Sequence, residues 1–150
     1  MLLDKISTLT LTPPLVIQSG TSVGDVVEKI QAGAVGCVVV CQGHQLVGIL
    51  TERDVLLKIV ARDVDYSKPV DEFMTPDPVT LPSHATIGDA VSIMVERNFR
   101  HIPITEADQS DPIAVVSIKD VINLVAESFP AQVLNLPPRP HQKMEEREGA

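Results

Sequence analysis

The chain has 150 residues, of which 44% are hydrophobic, and a formal net charge of -8 at pH 7. This length suits one domain or two small units that share a core. The negative charge argues against general nucleic-acid binding and against docking on an anionic membrane, because both need basic surface that faces phosphate. Charges at Asp4 and Lys5 interrupt the first apolar residues, and no later run has the length of a transmembrane helix, so we expect a cytoplasmic protein.

An internal repeat organises the chain. Residues 22–25 match residues 86–89 at an offset of 64, and residues 51–56 match residues 117–122 at an offset of 66. The two extra residues fall in the loop around residues 106–112, where insertions are readily tolerated. The chain is therefore predicted to hold two copies of one structural unit.

The first copy has a regular order of predicted elements. An extended segment at residues 15–17 precedes a helix whose apolar residues recur at helical spacing. Two short β-rich runs, residues 37–41 and 46–50, then form a predicted hairpin, and a second helix starts near Thr51. The apolar positions of the first helix are Val23, Val26, Val27 and Ile30.

The second copy repeats this order. An extended segment at residues 78–81 precedes a helix, and the strands at residues 102–105 and 113–116 precede a second helix that starts near Ser117. Residues 63–75 are predicted to link the copies. Beyond Phe129 the sequence is rich in proline and has no apolar period, which predicts an extended or disordered tail unless it packs on a neighbour. The apolar positions of the first helix in this copy are Ile87, Ala90, Val91, Met94 and Val95.

Two cysteines, Cys37 and Cys41, flank three valines in the first predicted hairpin. Their separation also falls within zinc-ligand spacing, but no second Cys or His pair follows at such a spacing. A role in the core is the favoured interpretation, and no disulfide framework or metal site is predicted.

The order β-α-β-β-α in duplicate resembles the CBS domain pair, a family named for cystathionine β-synthase. The resemblance rests on Gly-Ile-Leu-Thr-Glu-Arg-Asp at residues 48–54, its counterpart at residues 115–120, Met-Thr-Pro at residues 74–76 and Asn-Phe-Arg-His-Ile-Pro-Ile at residues 98–104. It implies an α/β (α+β) fold in which two tandem β-α-β-β-α repeats pack with pseudo-two-fold symmetry. We expect residues 1–66 to form the N-terminal segment and first repeat, residues 67–129 the linker and second repeat, and residues 130–150 a flexible Pro-rich tail.

The resemblance also implies ligand-binding residues. Such pairs bind adenosine-containing ligands in two clefts between the repeats, and the Asp of a Thr/Ser-x-x-Asp motif accepts hydrogen bonds from the ribose hydroxyls. Carried over by position, Asp54 and Asp120 become the ribose acceptors, since a carboxylate can accept from both vicinal hydroxyls. Thr51 and Ser117, at the helix starts, would offer a hydroxyl and nearby backbone N–H groups to a phosphate.

Basic residues near these motifs are the expected phosphate partners. Arg100 and His101 stand just before a strand, and Ile102 and Pro103 continue the predicted site into that strand. Arg53 and Lys119 each precede a motif Asp, although they are equally well explained as solvated helix charges. The first repeat has Gly36 and Cys37 where the second has Arg100 and His101, so its cleft is expected to bind weakly or not at all.

Helix capping is the competing explanation for these motifs. The Thr/Ser-x-x-Asp pattern is an ordinary cap, and it also occurs at residues 22–25 and 86–89. Position separates the pairs, because Thr51 and Ser117 directly follow a strand, at the edge of a sheet where α/β clefts form. We assign only that pair to a ligand.

The sequence therefore favours a regulatory module over an enzyme. It contains none of the phosphate-loop, zinc-protease or nucleophile-elbow motifs. The expected ligands are AMP, ADP or ATP, and S-adenosylmethionine or a dinucleotide is the less favoured choice. The signal would pass to an unknown regulated protein. A structural dimerisation module with empty clefts is the alternative. A homodimer is expected because the second helix of each repeat is apolar around more than one face.

Overall fold

The computed structural model describes residues 1–106 and 110–128. The predicted tail at residues 130–150 lies outside the described residues. Two small sheets and the helices that pack on them form two similar units, which follow the two sequence repeats. The predicted α/β fold with two tandem repeats is confirmed.

The first sheet has four strands in the order β1 (Val16–Gln18), β2 (Cys37–Gln42), β3 (Gln45–Thr51) and β4 (Thr75–Pro76). β1 runs parallel to β2, and the other neighbours are antiparallel. Helix α1 (Val23–Gly33) connects β1 to β2, and the short helix α2 (Glu52–Asp54) continues into a π-helix, Val55–Val60. The predicted hairpin and both helix starts are confirmed to within about two residues.

The second unit contains helix α3 (Ile87–Arg97), the antiparallel hairpin of β5 (His101–Thr105) and β6 (Pro112–Ser117), and helix α4 (Ile118–Ser128). The extended segment predicted at residues 78–81 forms only a single parallel bridge, between Leu81 and Ile104. In the first repeat the N–H of Val39 donates to the carbonyl of Leu15 at 3.0 Å. The equivalent of Val39 in the second repeat is Pro103, which has no N–H to donate. The hydrogen-bond ladder between residues 78–81 and β5 therefore cannot extend in the same way.

Each unit is completed by a segment that precedes the other repeat in the sequence. The turn Ile6–Thr8 packs on the second repeat, where the N–H of Ile6 donates to the carbonyl of Ala85 at 2.8 Å. The turn Val70–Glu72 packs on the first repeat, where the N–H of Val70 donates to the carbonyl of Thr21, also at 2.8 Å. Ile6 and Val70 are 64 positions apart, and so are their partners Thr21 and Ala85. The exchange of these two segments between the repeats therefore follows the pseudo-two-fold symmetry.

Two hydrophobic cores result from this exchange, one in each unit. Val70 is fully buried in the first core and Ile6 in the second. The segment at residues 63–75, predicted as a linker, therefore also supplies a core residue and the first residue of strand β4 to the first unit. The division into residues 1–66 and 67–129 stays a prediction.

Candidate ligand-binding site

Ser117 and Asp120 are hydrogen-bonded to each other at the point where β6 ends and α4 begins. Oδ2 of Asp120 accepts from the backbone N–H of Ser117 at 2.7 Å and from its hydroxyl at 3.1 Å, and Oγ of Ser117 accepts from the N–H of Asp120 at 3.3 Å. Among the described residues, Oδ1 of Asp120 has no hydrogen-bond partner. The carboxylate therefore caps the helix with one oxygen and keeps acceptor capacity on the other.

Thr51 and Asp54 repeat this arrangement where β3 passes into α2. Oδ2 of Asp54 accepts from the N–H and the hydroxyl of Thr51, each at 3.0 Å. Here the second oxygen is also paired, because Nζ of Lys58 lies 3.3 Å from Oδ1 of Asp54. The same Nζ donates to the carbonyl of Phe73 at 3.2 Å. The two motif carboxylates thus differ, and Asp54 has a cation already in place.

His101 lies at the contact between the two repeats. A Cβ built on Gly36 would lie 2.8 Å from Nε2 of His101 and 3.3 Å from Oε1 of Glu52. The imidazole of the second repeat and the carboxylate of the first therefore approach the same point, and they do so because residue 36 has no side chain.

Burial lowers the pKa of His101, and the positive charge of Arg100 lowers it further, while the carboxylates of Glu52 and Asp120 oppose this shift. This lowering of the pKa favours the neutral form of the ring at pH 7. Its Nδ1 is buried and makes no hydrogen bond within the described residues. His101 would therefore meet a phosphate as a hydrogen-bond donor rather than as a fixed positive charge.

The start of β5 and the start of α4 are joined directly. The backbone N–H of Ile118 donates to the carbonyl of Arg100 at 3.0 Å, which brings Arg100 to the same end of the sheet as Asp120. The side chain of Arg100 is exposed, as are those of Arg53 and Lys119.

Ile102 and Pro103, the remaining predicted site residues, are buried. The side chain of Ile102 belongs to the second core, so it could offer a ligand only backbone atoms.

Glu52, Gly36 and Lys58 complete this region and were not among the predicted site residues. Lys58 could have been found, because it stands four residues after Asp54 on a predicted helix, a spacing at which opposite charges meet. Gly36 and Glu52 carry no such local signal, since they meet His101 only through the packing of one repeat on the other.

Cys37 occupies the position in the first repeat that corresponds to His101. Burial raises the pKa of its thiol to about 12, with a smaller contribution from the negative charge of Glu52. Both cysteines are buried and unbonded. No group of three metal-binding side chains occurs in residues 1–106 and 110–128. The first repeat thus offers a neutral thiol where the second offers an imidazole.

A cavity of about 600 Å³ lies away from this region, where the first hairpin approaches the end of β5. It contains none of the predicted ligand-binding residues. A smaller apolar pocket of about 220 Å³ lies between α1 and the π-helix and has Glu52 on its lining.

The CBS domain family model matches residues 6–61 and 70–127. The chain belongs to the CBS domain family. The two matched stretches correspond to the two structural units, so this is a tandem CBS pair.

Related proteins and solved structures agree with this assignment. An uncharacterised 17.7 kDa protein of Acidianus ambivalens is 30% identical over 118 residues, which cover 78% of this chain and 70% of that protein. The structure of CBSX2 in complex with AMP has a TM-score of 0.69 at 25% identity and covers 82% of this chain and 96% of that one. The CBS domain pair of protein MJ0100, in complex with 5'-methylthioadenosine and S-adenosyl-L-methionine, has a TM-score of 0.75 at 19% identity, with coverages of 84% and 98%.

Other relatives are much longer proteins. The alignment to CBSCBSPB2 of Arabidopsis thaliana covers 69% of this chain but only 18% of that protein, at 29% identity. CBS pairs therefore occur within larger chains as well as in proteins of this size. Within the described residues, no helix of this CBS pair has the length and apolar character needed to cross a bilayer.

Proposed function

We propose that this CBS pair is a regulatory module that binds an adenosine-containing ligand at the start of α4 and passes the binding signal to another protein. The observation that carries the proposal is the geometry of Asp120. One of its oxygens holds the helix start, while Oδ1 makes no hydrogen bond among the described residues, and Arg100 and His101 stand at the same end of the sheet. A ribose diol needs such a free acceptor, and a phosphate needs the donors that stand next to it.

The structures of similar CBS pairs with AMP and with S-adenosyl-L-methionine support this ligand class. AMP, ADP, ATP and S-adenosylmethionine are accordingly the candidate ligands, at a site formed by Ser117, Asp120, Arg100 and His101. The protein acts as a cytoplasmic sensor rather than as an enzyme in this proposal, and its regulated partner is another chain.

The second repeat provides the stronger site. Its carboxylate has a free oxygen, whereas Asp54 is already paired with Lys58. The position of His101 is taken in the first repeat by Cys37, whose thiol stays protonated at neutral pH. We therefore expect one tight site per chain, with Thr51, Arg53 and Asp54 contributing little to binding.

Calorimetric titration with AMP, with GMP as the control for base recognition, tests the proposed function. The expected result is binding of AMP with one tight site per chain and a matching rise in melting temperature. A ligand present at a hundred times its Kd stabilises the native state by about 2.7 kcal/mol. Absence of binding by AMP, ATP, adenosine and S-adenosylmethionine would contradict the proposal and leave the structural alternative.

Exposed apolar residues on the second helix of each repeat favour an additional structural role. The side chain of Ile122 on α4 is 58% exposed, and Leu56, Leu57, Val60 and Val125 are also exposed. Apolar side chains that are exposed on the same helix in both repeats are typical of a surface that is covered by another protein. We propose that a second copy of the chain covers it, which gives a two-fold symmetric homodimer.

Replacing Ile122 with Asp should dissociate this dimer. Because Ile122 is exposed in the single chain, the substitution leaves the core intact, yet it would place an unpaired carboxylate in the interface. We expect the dimer Kd to rise by about a hundred-fold or more, as sedimentation velocity would show. Asn123→Asp adds the same charge at the neighbouring exposed position of α4 and serves as the control. A wild-type chain that is monomeric at micromolar concentration would rule the homodimer out.

A further inference from the structure

We propose that Glu52 selects ligands of low negative charge, so that the site at α4 binds a nucleoside monophosphate or an uncharged adenosyl compound and discriminates against a triphosphate. The inference rests on the proposed function and narrows its ligand class. It concerns a residue of the first repeat acting on a ligand held mainly by the second.

The side chain of Glu52 lies close to that of His101. Oε1 of Glu52 and Nε2 of His101 both lie within 3.3 Å of the point where a Cβ of Gly36 would stand. A phosphate that accepted a hydrogen bond from His101 would therefore approach the carboxylate of Glu52 as well. The backbone of Glu52 is fixed there, since its N–H donates to the carbonyl of Gly36 at 3.0 Å.

Charged groups of both signs act on the ring of His101. Two carboxylates, Glu52 and Asp120, act on the ring from α2 and α4, and Arg100 acts on it from the start of β5. Lys58 is held by Asp54 and the carbonyl of Phe73, so it does not balance the charge of these carboxylates. Of the charged groups that act on the ring, two are negative and one is positive, which suits a ligand with few negative charges.

The two repeats carry different residues at the position of Glu52, and the fold does not require an acidic residue there. The residue of the second repeat that corresponds to Glu52 is Ile118, whose N–H makes the matching bond to the carbonyl of Arg100. An apolar residue can thus occupy the first position of this helix as well as an acidic one. Glu52 is exposed and makes no side-chain hydrogen bond or ion pair within the described residues, so the interaction of its charge with the start of α2 is the one contribution to folding that it makes there, and Ile118 shows that the fold forms without it.

Titration of adenosine, AMP and ATP into the wild-type chain and the Glu52→Gln variant tests the inference. The titrations exclude divalent cations, so that the phosphate charges stay unneutralised. In the wild type we expect AMP to bind at least about ten-fold more tightly than ATP, a ratio that one like-charge interaction near a protein surface can produce. In Glu52→Gln the affinity for ATP should rise by about ten-fold, while that for adenosine stays within about two-fold.

Glu96→Gln is the matched control, because it removes the same charge from an exposed position on α3. Equal gains in ATP affinity from the two variants would mean that net charge alone is responsible and would overturn the inference. Equal affinities of the wild type for AMP and ATP would also overturn it, while leaving the proposed function in place. If none of the three compounds binds, the proposed function fails, and the inference fails with it. Melting curves of both variants confirm that they are folded.

Discussion

Replacing Asp120 with alanine is expected to weaken AMP binding by about ten-fold to a hundred-fold. Hydrogen bonds to a charged acceptor contribute about 1.5–3 kcal/mol each, and 1.4 kcal/mol corresponds to a factor of ten in Kd. The substitution also removes the bonds between Asp120 and Ser117, so a stability loss of about 1 kcal/mol should accompany it. Calorimetric titration and a thermal melt of the same variant measure the two effects separately.

Asp89→Ala is the matched control for this experiment. Oδ2 of Asp89 accepts from the N–H of Thr86 at 3.0 Å, and Oγ1 of Thr86 accepts from the N–H of Asp89 at 3.1 Å. Both aspartates therefore cap a helix with similar geometry, but Thr86 follows a loop whereas Ser117 is the last residue of a strand. Asp89→Ala should lower the melting temperature and leave AMP affinity unchanged. Equal affinities of the two variants would show that Asp120 is a cap and nothing more.

Much of this fold could be predicted from the sequence because its signals are local or repeated. Apolar residues at helical spacing indicate α1 and α3, and the offsets of 64 and 66 residues indicate the second copy of each element. The helix starts after β3 and β6 follow from Thr51 and Ser117, whose capping bonds to the Asp three residues later are present. Each of these features depends on residues close together in the chain.

The features that the sequence did not reveal depend on contacts between distant segments. Gly36 accommodates the ring of His101 only because the two repeats face each other, and neither residue indicates this by itself. The lowered pKa of His101 likewise results from burial, which a basic residue before a strand does not predict. The shortened ladder at Leu81 is an intermediate case. The sequence shows that Pro103 has no N–H. Whether this shortens the ladder depends on which carbonyl lies opposite Pro103, and that depends on how distant strands pair.

The exchange of segments between the repeats is another such feature, and Ile6 is the residue that tests it. This isoleucine is fully buried in the second core, although it precedes the first repeat in the sequence. Its N–H bond to Ala85 holds the turn Ile6–Thr8 against the loop before α3. If the contact is an integral part of the fold, the N-terminal segment stabilises a unit that begins more than 60 residues later.

Ile6→Ala is therefore expected to lower the free energy of unfolding by about 2–5 kcal/mol, the range observed when a buried isoleucine or leucine is truncated and leaves a cavity. Urea denaturation followed by circular dichroism measures this loss as a lower midpoint. Leu3→Ala is the control, because that side chain is 89% exposed and its truncation should change stability by less than about 0.5 kcal/mol. Since each repeat contributes a segment to the core of the other, both proteins should unfold in a single transition. Two separate transitions in the wild type, or equal midpoints for the two variants, would show that the N-terminal turn does not stabilise the second repeat.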